Sequence, residues 1–341
     1  MDLSTSMPVG SGLAGRIVHL RPPPLRVRFR YGVYINLAGH PDWIPYASAV
    51  IRLAPAPADR TLDEIRLGDV VTANLLLAEA LSRTETPIAA DRTPESWVWA
   101  HLGGTRDLAL VPAELHRAFR HRGGVSGLRP GTAARGLHGL AHLTSPPVRA
   151  DARGSVTEDA LARAEEWFGF ALPPSFRDFV RETNGPLPDP GVHPARGFLV
   201  DQPFFGFAAD DRMADLAYAS LWFGDRFTDD YLVIAPVQGG LLLTQLRGTA
   251  PGSIWYWDDD DAADDDRYGP GVICRDLLVR CADDIGSFFA TLTPVPDRYL
   301  VEAAENIRAG RVGLVSPESA GQGLPRARRP HWWGQLPGPQ H

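Results

Sequence analysis

The stretch Thr93–Ser126, TPESWVWAHLGGTRDLALVPAELHRAFRHRGGVS, decides how the N-terminal half is read. Tight turns alternate in it with short apolar runs, so His101 stands on a short strand that ends in a turn. His116 and His121 follow, five residues apart, on or just after a short helix. Such spacing can bring two imidazoles towards one ion. A third histidine nearby can act as general base on a water attacking a phosphodiester, while the ion stabilises the pentacoordinate transition state. Three histidines within 21 residues also occur at surfaces and core edges, and spacing alone leaves both readings open.

Upstream of this stretch, Val27, Phe29, Tyr31, Val33, Ile35 and Leu37 alternate with polar or small residues, which predicts a strand. Ala47–Leu53 reads as another, ended by Pro55 and Pro57. Asp59–Arg83 reads as a helix, with Ile65, Val70, Val71, Leu75, Leu76 and Ala80 near helical spacing. These elements form one domain over 15–127, behind a small, polar N-terminus (1–14) expected to be disordered. Residues 128–154 have the Pro/Gly/Ala composition of a linker.

A second domain over 155–295 opens with Ser155 or Thr157 capping a helix through Leu161, Ala164, Trp167 and Phe168. After Leu172-Pro173-Pro174, Ser175 is expected to cap a second helix through Phe176, Phe179 and Val180, ended by Asn184-Gly185. Strand-like runs follow at 197–200, 231–236, 240–246 and 253–257. Asp283-Asp284 opens what reads as the last helix, through Ile285, Phe288, Phe289 and Leu292. Residues 296–341 read as a C-terminal tail, mostly disordered.

Composition narrows the chemistry. With 341 residues, 44% of them hydrophobic, the chain can bury the cores of two domains, which excludes a fully disordered protein. All 34 basic residues are arginine, so no lysine Schiff base, P-loop lysine or lysine general base exists. The net charge of −7 splits into +5 over residues 1–150 and −12 over 151–341. A basic half is suited to phosphate and an acidic half to a basic partner; two solvated surfaces of unequal composition fit equally well. Arg117, Arg120 and Arg122 flank the histidines and can hold phosphates or simply form a solvated face. Cys274 and Cys281 fit two reduced thiols better than a disulfide. No signal peptide and no run of 18 apolar residues is present, so neither a leader nor a membrane association is expected, and the location read from the sequence is cytoplasmic. Seven aspartates crowd 258–266 without the order of an EF-hand loop, which leaves a solvated acidic loop, weak Ca²⁺ binding or a surface for a basic partner.

The N-terminal half resembles the WHH branch of the HNH, or ββα-metal, nuclease superfamily, seen as toxin domains in bacterial polymorphic toxin systems. The resemblance rests on Trp99-Ala100-His101, Leu110-Val111-Pro112 and His116-x4-His121-Arg122-Gly123-Gly124. Upstream it includes Gly39-His40-Pro41-Asp42-Trp43-Ile44-Pro45-Tyr46-Ala47 and Asp69-x3-Ala73-Asn74. It implies that His101 is the general base and that His116 and His121 are ligands to a divalent metal, Mg or Zn. Nucleic acid is the implied partner of this half. Ala100 stands where the family has its first metal-ligand histidine, which implies a weak or retired nuclease.

The C-terminal half resembles the SUKH superfamily, which includes the Smi/Knr-like cell-wall-assembly regulators of fungi and many bacterial immunity proteins. The carrying residues are Glu165-x3-Gly169-Phe170-x-Leu172-Pro173, Ser175-Phe176-Arg177-x-Phe179 and Thr183-Asn184-Gly185. Tyr231–Ala235, Gly239-Gly240, Ile254–Asp258 and Asp284-Ile285-x2-Phe288-Phe289-x2-Leu292 complete it. The likeness implies binding without catalysis, with a nuclease toxin as protein partner. The expected fold class is α+β: a ββα-metal (HNH-like) domain followed by an α+β SUKH-like domain. The expected function is a conflict-system protein, a weak or degenerate nuclease domain fused to an immunity-type domain; the alternative is a wholly non-catalytic immunity protein that neutralises nuclease toxins.

Overall fold

In the computed structural model, residues 11–20, 23–82, 88–119, 121, 124, 136–137, 148–207, 214–224, 226–259 and 268–316 are described. The expectations placed on 1–10, 128–135, the Asp260–Asp266 part of the acidic run, Arg120, Arg122 and 317–341 lie outside them. The architecture is α+β, in two compact units. One is drawn mainly from residues before 137 and after 295, the other from the stretch between.

The deciding stretch folds as ββα. Strands Trp97–His101 and Asp107–Pro112 form an antiparallel hairpin with Ala100 opposite Ala109 and His101 opposite Leu108. Helix Ala113–Ala118 follows at once. Pro112 closes the strand, where its fixed φ and missing N–H cost no ladder bond. Strand Ala49–Arg52 pairs along the other edge of Asp107–Pro112, and Gly313–Leu314 pairs outside Ala49–Arg52. Leu108, Ala109, Leu110 and Val111 are all buried, the continuous apolar run of a strand covered on both faces.

Helix Leu62–Leu81 starts where the apolar spacing predicts. Thr61 and Glu64 form a capping box: the Thr61 hydroxyl accepts from Glu64 N at 3.0 Å, and Thr61 N donates to the Glu64 carboxylate at 2.9 Å. From Leu62 to Asn74 nearly every residue is buried, whichever face it lies on, so neighbours surround this helix.

Three expectations for this unit fail. The alternating run from Val27 is no continuous strand: Pro23–Arg28 is a helix, Val33–Tyr34 pairs with Ile17–Val18, and Ile35 makes an isolated bridge to Pro41. Consecutive prolines suit a helical first turn, and Val27, 77% exposed, carried no burial signal. The tail is the second failure. Asp297–Arg308 is a helix that packs on Leu62–Leu81, and Val315 N donates to Val50 O at 2.9 Å as the chain joins the sheet. Burial of Tyr299 and Ala303, four residues apart, explains the helix. Ser11–Leu13, expected to be disordered, form a 3-10 turn.

The other unit is an antiparallel meander, Tyr231–Val237, Gly240–Gln245, Ile254–Asp258 and Val279–Ala282, covered by helices. Thr157 caps helix Glu158–Phe168, and Asp284 caps Ile285–Thr291. The second helix starts at Pro174 behind Pro173, so Ser175 is not its cap; it ends at Asn184 in the left-handed conformation. Leu161, Phe176, Val180, Phe198 and Phe288 pack with Ile234, Leu242 and Tyr256 in one core. Ala150–Asp151, expected in the linker, pairs with Leu187–Pro188, and Val148 joins this core. Among the described residues no helix is long and apolar enough to cross a membrane.

Candidate active site

The long helix and the hairpin are joined by two side-chain pairs. Asn74 Oδ1 accepts from Trp99 Nε1 at 2.7 Å, and Asp69 Oδ2 accepts from His101 Nε2 at 2.9 Å. Five residues along a helix advance about 7.5 Å, and two along a strand about 6.7 Å. The spacings therefore match, with helix and strand running in opposite senses. Because an ionised carboxylate only accepts, His101 carries its hydrogen on Nε2, and Nδ1 keeps the lone pair.

Asp69 is further clamped by Arg106, from the end of the hairpin turn. The guanidinium donates to Oδ2 at 2.7 Å and to Oδ1 at 2.6 Å, and its Nε donates to Ala54 O at 2.8 Å. Such a fork is rigid and satisfies the charge of a buried carboxylate. His101, Asp69 and Arg106 thus form a fixed network around an imidazole whose Nδ1 has no hydrogen-bond partner among the described residues.

His116 and His121 meet. Their Nε2 atoms lie 3.1 Å apart, and His121 Nδ1 donates to the Phe119 carbonyl at 3.1 Å. That bond fixes the neutral His121 tautomer with a lone pair on Nε2, so His116 donates across the pair. A backbone carbonyl on the distal nitrogen is also how metal-ligating histidines are commonly held. Buried Trp43 sets the pair, its ring 5.2 Å from both imidazole centroids and 5.7 Å from Phe119. Three residues earlier in the same loop, the His40 ring lies against Gly103, and Asn36 Oδ1 accepts from His40 N at 3.0 Å. Gly124 lies so close to the His101 carbonyl that any Cβ there would collide with it. The 40–43 loop therefore touches the end of the hairpin at one residue and the histidine pair at another.

The implied metal fits these residues only in part. Two imidazoles on a tetrahedral zinc would stand about 3.3 Å apart, close to the observed spacing. Catalytic zinc sites use three protein ligands, however, and among the described residues no group of three His, Cys, Asp or Glu side chains is placed to hold an ion. Ala100 is buried, 2% exposed, and strand alternation puts it on the face of Trp97–His101 opposite Trp99 and His101. Its methyl donates nothing. Magnesium keeps its own waters but favours oxygen ligands, which this pair lacks.

His116 and His121 are both buried, side by side, and His101 is half-buried in a separate network with Asp69. Sequence reasoning passed over Asp69, Arg106 and Trp43 as functional residues. Asp69 and Trp43 stand within recognised motifs, so the signal existed without a role; nothing local marks Arg106. Arg117 is partly buried. In the second unit, burial between Phe198 and Phe288 pushes the His193 imidazole down to about 4. Burial raises both thiols, Cys281 to about 12, and both cysteines are free.

Comparison with known families agrees with this division. Residues 89–130 match a family described as a nuclease of the HNH/ENDO VII superfamily with conserved WHH. That match includes His101, His116 and His121, while Trp43, Asp69 and Asn74 lie upstream of it. The conserved triplet reads Trp99-Ala100-His101 here. Residues 155–291 match the SMI1/KNR4 family (SUKH-1). No curated protein matches the chain. Its helix-braced hairpin and its antiparallel meander are accordingly two different modules: the chain joins a WHH-type segment of the HNH/ENDO VII nuclease superfamily, at 89–130, to a SUKH-1 domain, at 155–291.

Proposed function

We propose that this is a cytoplasmic protein of a bacterial conflict system, an attenuated phosphodiesterase unit fused to an immunity-type, protein-binding SUKH-1 domain. One observation carries the reading: His101 is bonded to Asp69, while among the described residues no third His, Cys, Asp or Glu joins His116 and His121 in a group that could hold an ion. His101 Nδ1 takes a proton from water as its oxygen bonds to phosphorus; the P–O ester bond breaks, and the leaving oxygen is protonated from solvent. Asp69 keeps the imidazole in the required tautomer. His116 and His121 are the residues that would hold a divalent ion, whose role is to stabilise charge on the phosphoryl oxygens. The basic half contacts the nucleic acid, and the acidic half contacts a nuclease toxin. The test is hydrolysis of single- and double-stranded DNA and RNA by the full chain, with Mg or Zn added, against His101→Ala. Slow turnover abolished in the variant supports the reading; equal rates overturn it.

A second reading, a wholly non-catalytic immunity protein, is favoured by the burial of Ala100, whose methyl is part of the hydrophobic core. Under it, the full chain binds and inhibits a WHH-type nuclease and cleaves nothing.

A further inference from the structure

We propose that Tyr299 is a positioning residue for the His101–Asp69 pair, supplied by the segment that follows the SUKH-1 domain. The inference rests on the reading of His101 as a base. The helix Leu62–Leu81 lies between two partners. The hairpin holds it at Asp69 and Asn74, and helix Asp297–Arg308 holds it at Glu64 and Gly68.

The grip at Glu64 and Gly68 is specific. Tyr299 is 1% exposed, and its ring fills the space beside Gly68, 3.5 Å from where a Cβ would stand. An interior glycine weakens a helix relative to alanine, and a ring seated on it offsets that cost by packing. Gly68 is the peptide neighbour of Asp69, so the turn that aims the carboxylate is the turn Tyr299 leans on. Arg298 adds a 3.2 Å bond to Glu64, the acidic member of the capping box, and Arg60 adds a 2.8 Å bond to Glu302. Both guanidiniums also face the Tyr299 ring, at 4.9 and 5.5 Å from its centroid. The helix that carries Asp69 is thereby fixed at its cap and at the turn beside the carboxylate.

The test uses the full chain and reads the Nε2–H proton of His101 by NMR, together with hydrogen exchange. Tyr299→Ala should broaden or abolish that resonance and raise exchange over 62–74 at least tenfold, with 231–258 unchanged. Tyr299→Phe should keep the His101 resonance, because the ring does the packing, and lose only the 3.0 Å bond that Arg298 donates to the Tyr299 hydroxyl. If Tyr299→Ala unfolds the N-terminal unit, Tyr299→Leu replaces it and should weaken the His101 signal. An unchanged His101 resonance in a folded Tyr299→Ala or Tyr299→Leu protein overturns the proposal. An inactive wild type would sink the base reading alone, since the NMR signal reports the geometry without turnover.

Discussion

Arg106 and Asp69 meet through two hydrogen bonds of 2.7 and 2.6 Å, and one oxygen of that carboxylate also takes the hydrogen of His101. The aspartate is buried and the arginine nearly so, so the pair is sensitive to loss of one member. Arg106→Ala leaves an uncompensated buried carboxylate and should cost about 3–5 kcal/mol. Urea unfolding of the full chain, followed through the tryptophans, reads this loss.

If His116 and His121 hold an ion as proposed, a histidine at position 100 should raise metal affinity. Ala100→His is expected to bind Zn or Co at least about tenfold tighter than wild type, a difference of about 1.4 kcal/mol. Calorimetric titration reads it, and His116→Ala in the same background should remove the gain. The larger side chain enters a packed sheet and should cost about 1–3 kcal/mol of stability. An unchanged affinity would show that residue 100 does not face the pair.

Acid should weaken the second unit through His193. Its imidazole titrates near 4 in the folded chain against 6.5 for a free histidine. Between those values the unfolded state binds the proton that the folded state refuses, so stability is full above 6.5 and falls as pH drops towards 4. The loss amounts to about 3 kcal/mol at most. His193→Phe, which keeps a ring between Phe198 and Phe288, should flatten thermal stability across that window.

Both thiols should resist alkylation in the native protein. Burial raises Cys274 and Cys281 alike, and the thiolate is the reactive form. Treatment with iodoacetamide at pH 8 should label neither within minutes, and denaturant should expose both to mass-spectrometric detection.

Much of this was legible in the residues themselves. The Gly103-Gly104 turn between apolar runs marked the hairpin, and the spacing of Ile65, Val70 and Val71 marked the long helix. The approach of His116 to His121 was readable as a pair, although Trp43, 73 residues before His116, sets their angle. The bond from His101 to Asp69 spans 32 positions, and no local pattern announces it. The strand read around Val27 failed because alternation over a few residues also fits a short helix with an exposed apolar side chain. Helix Asp297–Arg308 was hidden by composition: its signal is one Tyr-Ala pair behind a proline, beside a run rich in glycine, proline and arginine.

The pairing of Gly313–Leu314 with Ile51–Arg52 has a consequence in time. A ribosome delivers the chain from its N-terminus, and domains close as their residues emerge. The sheet that carries His101 has its other three strands by Pro112 and receives Gly313–Leu314 only about 200 residues later, and the whole SUKH-1 stretch precedes that strand. Order of synthesis therefore completes the SUKH-1 stretch before the unit that carries His101 has all of its parts.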